Sequence, residues 1–276
     1  MINEIIWPVV ALGGLGLVLG LGLAIAAKLL AVKVDEKLEK VRELLPGANC
    51  GGCGYPGCDG MAKALCAGEA QVSQCSPISC ENLNAIAQLL GVEAAPADKI
   101  VARVLCHGDS ENCVSQYTYS GISDCRAAAL VAGGPKSCAF GCVGLLTCGK
   151  VCPFGAIHLS DKGIAAIDET KCTGCGQCVA ACPKNVIKVM PQNNNVFISC
   201  RTTDKGKAVT VNCKAGCIAC GICAKKCPES AIEMVNNLPV INYDKCTGCG
   251  ICADACPKGT IANMDKLGNA CEVVSK

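Results

Sequence analysis

The chain has 276 residues, 28 of them cysteine, with one Trp, four Tyr, three Phe, 17% charged residues and a formal net charge of +2. So few bulky apolar side chains exclude one large hydrophobic core and point to several small units held together by metal or by disulfides. The near-neutral charge, with no long block of one sign, speaks against a nucleic-acid partner.

The first predicted element is a membrane span. Ile5 to Ala27 runs without a charge, long enough to cross a bilayer as a helix, and Trp7 sits at one end where interfacial aromatics gather. Lys28, Lys33, Lys37, Lys40 and Arg42 follow the run, whereas only Glu4 precedes it. The positive-inside rule then predicts a single pass through the inner (cytoplasmic) membrane, with the N-terminus outside and the body in the cytoplasm. A secretory signal peptide would carry the opposite charge order and a shorter apolar stretch. Gly16 and Gly20 have the four-residue spacing that lets a second membrane helix approach closely. A body in a reducing compartment disfavours disulfides and leaves metal or catalytic thiols.

Beyond the basic linker comes Cys50-Gly-Gly-Cys53-Gly-Tyr-Pro-Gly-Cys58, with Cys75 further on, and then a segment bearing Cys106, Cys113 and Cys125. From there an internal repeat takes over. Cys152, Cys182, Cys227 and Cys256 are each followed by Pro and, five residues on, by Ile157, Ile187, Ile232 or Ile261. Three of the four are preceded by thiols at two-residue gaps: Cys172, Cys175, Cys178; Cys217, Cys220, Cys223; and Cys246, Cys249, Cys252. That is the run of a bacterial two-cluster ferredoxin, in which the fourth Cys ligates the neighbouring cluster. The exchange pairs Cys217, Cys220, Cys223 with Cys256, and Cys246, Cys249, Cys252 with Cys227. Before Cys152 the spacing is looser, through Cys138, Cys142 and Cys148. The same rule assigns Cys138, Cys142, Cys148 with Cys182, and Cys172, Cys175, Cys178 with Cys152. Structural zinc would need only two CxxC knuckles and gives no reason for a third Cys and a Cys-Pro in each repeat. Short strands over 163–168 and 238–244, each leading into a cysteine loop, fit a small α+β module with a helix after the third Cys.

The sequence LPGANCGGCGYPGC, after one apolar span and a basic linker and before ferredoxin repeats, resembles the B subunits of Rnf complexes, the membrane-bound ion-pumping ferredoxin:NAD oxidoreductases. The resemblance runs along essentially the whole chain. It implies that Cys50, Cys53, Cys58 and Cys75 ligate one four-iron cluster, and that the ferredoxin modules relay electrons from soluble ferredoxin to the other Rnf subunits of the membrane complex. With neither a P-loop nor a Gly-rich turn after a strand, the chain is expected to move electrons and to perform no substrate chemistry of its own. The alternative is a membrane-anchored polyferredoxin serving a hydrogenase or another dehydrogenase. The organisation read this way is α+β: a transmembrane helix over 1–32, a membrane-proximal [4Fe-4S] domain over 33–90, a Cys-bearing connecting segment over 91–136, a two-cluster module over 137–190, connecting strands over 191–215 and a second two-cluster module over 216–276.

Five [4Fe-4S] clusters leave eight cysteines. Cys66, Cys80 and Cys271 are isolated and read as packing or surface residues. A sixth cluster is assigned to Cys106, Cys125, Cys200 and Cys213, with Cys113 as an alternative ligand, on the expectation that 198–213 forms strand, turn and strand with its thiols at one end. His107 and His158 receive no role. Lys225 and Lys226, beside Cys227, are the expected docking patch for a soluble donor, with Lys214 a weaker third.

Overall fold

The computed structural model describes residues 2–29, 36–92 and 99–264. Helix α1, Ile2–Leu29, extends the predicted span at both ends. Its Val10–Lys28 stretch is the one described helix long and apolar enough to cross a membrane. An added side chain at Gly16 or Gly20 would meet nothing within 4 Å, so both lie on an open helix surface.

The next unit is helical. Helix α2 (Glu36–Leu44), α3 (Gly57–Ala67) and α4 (Cys80–Leu90) enclose a core of Val41, Leu45, Met61, Leu65, Val72 and Ile86. Ser79 opens α4 by accepting the Asn82 N–H, and Gly68 and Gly91 end α3 and α4 in the left-handed conformation.

Two units of like topology follow. In the first, β1 (Ile100–Val104) pairs antiparallel with β4 (Ile187–Pro191), while β2 (Ile157–Leu159) pairs with β3 (Ala165–Ile167). The second repeats this with β5 (Val196–Ile198) on β8 (Ile261–Asn263) and β6 (Ile232–Val235) on β7 (Leu238–Ile241). The β6–β7 hairpin turns on Asn236 and Asn237, both at positive φ, as a type I′ turn requires. Short helices carry thiols between the strands: α5 (Cys125–Leu130), α6 (Thr147–Lys150) and α7 (Gln177–Ala181) in the first unit, and α9 (Ile222–Lys226) and α10 (Ile251–Asp254) in the second. Helices α6, α7, α9 and α10 contain the third Cys of each loop, where the sequence suggested that they follow it.

Two expectations change. Strand pairing crosses the boundaries drawn at 137 and 216, because β1 and β5, read as connecting segments, are the outer strands of the two units. Nor is 198–213 strand, turn and strand: after β5 the chain forms helix α8, Gly206–Asn212. The β-branched Val209, Thr210 and Val211 favour a strand, but the helix buries Val209, turns Val211 to solvent and lets the Thr210 hydroxyl donate to the Gly206 carbonyl. The two units meet where Leu105 and Met190 contact Phe197 and Ala262.

Candidate metal centres

The Cys-Pro repeat is a turn. Gly155, Asn185, Ser230 and Gly259 donate their N–H groups to the carbonyls of Cys152, Cys182, Cys227 and Cys256 at 3.2–3.4 Å. Pro presets the second position, and all four donors have positive φ. The turn carries each thiol out of its own loop. Cys256 lines a cavity with Cys217, Cys220 and Cys223, while Cys227 lines another with Cys246, Cys249 and Cys252. Cys152 does the same with Cys172, Cys175 and Cys178. These three groups coincide with the sets expected from the exchange rule.

The remaining group in the first unit differs from expectation. Cys142, Cys148 and Cys182 share their cavity with Cys125, and Cys138 lines a different one with Cys106, Cys200 and Cys213. Cys125 is fixed beside Cys148 because Asp124 caps α5 and the Cys125 N–H donates to the Thr147 hydroxyl at 2.6 Å. Cys138 leaves that group through a turn closed by the Gly141 N–H on its carbonyl, at 3.1 Å. The irregular spacing from Cys138 to Cys148 carried a signal of this exchange, but the partner lay outside the repeat. Cys113 stands beside Cys213 across an antiparallel bridge. A hydrogen bond from the Cys213 thiol pulls Cys113 down, and the same bond pushes Cys213 up.

In the helical unit, Cys50 and Cys53 lie on the loop before α3, Cys58 is in its first turn, and Cys75 follows the 3-10 turn Val72–Gln74. The Asn49 side chain accepts the Cys58 N–H at 2.8 Å. Burial, then the nearby Cys53, Cys58 and Cys50, push the Cys75 thiol up to about 12. The other groups show the same crowding. Cys148 is raised to about 12 by burial and by Cys142, Cys125 and Cys182. Cys178 reaches about 12 through burial and Cys172, Cys175, Cys148 and Cys152.

The thiols fit iron–sulfur cubes, since each of five cavities is lined by four cysteines, the number that a four-iron cube takes. Backbone N–H groups also point at sulfur: Ala102 at Cys172, Ala231 at Cys227 and Thr260 at Cys256, at 3.3–3.4 Å. Such donors stabilise cluster thiolates and tune their potentials.

Electrostatic influence and hydrogen bonds also link one group to the next. Cys175 is raised by burial and, among neighbouring thiols, by Cys50, and Cys178 lies within the field of Cys148. Cys106 Sγ accepts the Cys142 N–H at 3.3 Å, and Cys200 Sγ accepts the Cys217 N–H at 3.4 Å. Cys252 is raised to about 11 by burial first, with Cys223 among the contributing thiols.

His107 lines the cavity of Cys106, Cys138, Cys200 and Cys213; burial lowers it, opposed by the Gly259 backbone and by Asp109, and His158 is exposed on β2. Lys214, Lys225 and Lys226 are exposed, as is Cys66 on α3. Cys271 lies outside the described residues.

Comparison with known proteins bears on the same thiols. Residues 45–77 match the family described as a putative Fe-S cluster, 165–188 a 4Fe-4S binding domain, and 216–261 a 4Fe-4S dicluster domain. The chain is 45% identical over 245 residues to the B subunit of the Na(+)-translocating ferredoxin:NAD(+) oxidoreductase complex of Acetobacterium woodii, covering 89% of this chain and 74% of that protein. It is 41% identical to the proton-translocating counterpart of Clostridium ljungdahlii, over 87% and 85% of the two chains. The B subunit of the ion-translocating oxidoreductase complex of Methanosarcina acetivorans is 38% identical over 78% of this chain and 82% of its own length.

Proposed function

Because the chain belongs to the B-subunit family of ion-translocating ferredoxin:NAD oxidoreductase (Rnf) complexes, we propose that its thiols form one unbranched wire of six [4Fe-4S] clusters, carrying electrons from soluble ferredoxin to the membrane subunits. Electron transfer within that complex is the chain's role, and a polyferredoxin serving another enzyme is not favoured. The observation that carries the wire is that loops of successive groups meet, Gly52 against the Cys175 backbone, the Cys142 N–H on Cys106 Sγ and the Cys217 N–H on Cys200 Sγ, while Cys148 and Cys223 lie close enough to raise Cys178 and Cys252.

Five ligand sets follow the cavities, and the membrane-proximal set follows the crowding of Cys50, Cys53 and Cys58 on Cys75. Cys50, Cys53, Cys58 and Cys75 would hold the cube nearest the membrane; Cys152, Cys172, Cys175 and Cys178 the second; Cys125, Cys142, Cys148 and Cys182 the third. Cys106, Cys138, Cys200 and Cys213 would hold the fourth, with Cys113 as the alternative ligand, and the C-terminal unit supplies the last two. The sixth cube, with Cys138 in place of the Cys125 expected from sequence, would stand between the two ferredoxin units, which we redraw as 99–191 and 196–263. When bound, the cubes supply one-electron redox chemistry; the chain fixes their order, shields them and donates N–H groups to their sulfurs.

Entry at the C-terminal unit is supported by the exposure of Cys220 and Cys249, whereas the thiols of the three groups nearest the membrane are buried or half-buried. The single anchor and the basic flank after it support a cytoplasmic body. Purified chain should contain about 24 irons for six cubes, against about 20 for five. In the assembled complex, Cys53→Ala should still accept electrons from ferredoxin yet fail to pass them to the other subunits. Ferredoxin-dependent NAD reduction at the wild-type rate would reverse the proposed order.

A further inference from the structure

Resting on the relay reading above, we propose that the loops Cys50–Cys53 and Cys175–Cys178 form a purpose-built electron-transfer junction between the membrane-proximal cube and the next, with Gly52 and Gln177 as its positioning residues. Gly52 is not among the glycines at positive φ, so backbone conformation does not demand glycine there. Space does. A Cβ at Gly52 would lie 2.6 Å from the Cys175 carbonyl oxygen, 3.1 Å from its Cα and 3.2 Å from its carbonyl carbon. All three atoms are backbone in a loop held by its own thiols, so the contact cannot relax by moving a flexible side chain.

Gln177 closes the junction from the other side. Its side-chain amide donates to the Cys50 carbonyl, tying the start of one thiol loop to the end of the other. The repeat makes this residue conspicuous. In the C-terminal unit the position between the glycine and the third Cys is apolar, Ile222 in Cys-Gly-Ile-Cys223 and Ile251 in Cys-Gly-Ile-Cys252, whereas the loop that meets Cys50 has Gln177. Electron tunnelling weakens steeply with separation. Two cluster loops touching through backbone alone bring their cubes as near as the shells allow, and glycine is the residue that permits such an approach.

The test uses the full-length, cluster-loaded chain and the assembled complex. Gly52→Ala should keep the wild-type iron and sulfide content but lose hydrogen-exchange protection at 50–53 and 175–177. It should also lose the spin-relaxation enhancement that one reduced cube exerts on its neighbour, and deliver electrons from ferredoxin to NAD more slowly. Gln177→Ala removes the donor without entering the space at Gly52, so it decides the matter if the alanine at 52 costs a cluster. It should weaken the same protection and magnetic interaction with iron unchanged. Variants with full iron, wild-type protection and wild-type relaxation would overturn the junction. A wild-type chain without reducible clusters would instead strike down the relay reading itself.

Discussion

Lys136 shows how one side chain acts on two thiol groups at once. Half-buried, it donates to the Gly108 carbonyl at 2.6 Å, and its charge lowers the thiols of Cys106, Cys113 and Cys142 against the burial that raises Cys106 and Cys142. A cation so placed favours the more negative, reduced state of any cube held there. Lys136→Gln keeps a donor for Gly108 and removes only the charge. Redox titration followed by electron paramagnetic resonance should then find the potentials of the third and fourth cubes lower by on the order of tens of millivolts. Unmoved potentials would leave the lysine as a backbone tie and nothing more.

Among elements, the outer strands decide how the two sulfur-rich units meet. Arg103 projects from β1 and is only 4% exposed. Its guanidinium donates to the Glu169 carboxylate at 2.8 and 3.3 Å, to the Gln192 carbonyl at 2.9 Å and to the Asn194 carbonyl, and it lies 4.9 Å from the centre of the Phe197 ring on β5. One planar fork therefore joins the first unit, the linker and the second unit, a geometry that lysine cannot reproduce. Arg103→Ala strands Glu169 and two carbonyls, and should cost about 3 kcal/mol. Urea titration of the cluster absorbance would show it as an earlier midpoint, with Arg103→Lys recovering only part of the loss. A midpoint equal to wild type would mean that Leu105, Met190, Phe197 and Ala262 hold the seam unaided.

At the scale of the molecule the charge balance inverts on loading. Each cube with four thiolates carries about −2 when oxidised, so the six proposed cubes would turn the formal +2 of the bare chain into about −10. An acidic ferredoxin would be repelled overall unless it met a local basic surface. Lys225 and Lys226 end α9 in the unit whose thiols are most exposed. Lys225→Glu with Lys226→Glu should slow reduction by ferredoxin through the second-order on-rate, and the wild-type advantage should shrink as salt screens the contact. Stopped-flow traces at two ionic strengths check this. Indifference to the double reversal would move docking to another face.

The span and three of the thiol groups were legible in the amino-acid order because local rules govern them. An uncharged apolar run has few soluble alternatives, and a C-x2-C-x2-C-x3-C-P run is a short loop whose turns come from its own Gly and Pro. That Cys125, and not Cys138, lines the cavity of Cys142, Cys148 and Cys182 was not legible, since Thr147 and the cap at Asp124 bring Cys125 to a cavity well along the chain. Helix α8 was misread for a related reason: the strand propensity of Val209, Thr210 and Val211 gives way to where Val209 can be buried. Sequence by itself determined which residue types carry the chemistry and how the repeated loops turn. Only the tertiary structure decided which loop faces which, because Gly52 on Cys175 and Cys106 beside Cys142 are contacts between segments whose separation along the chain encodes nothing about their distance in space.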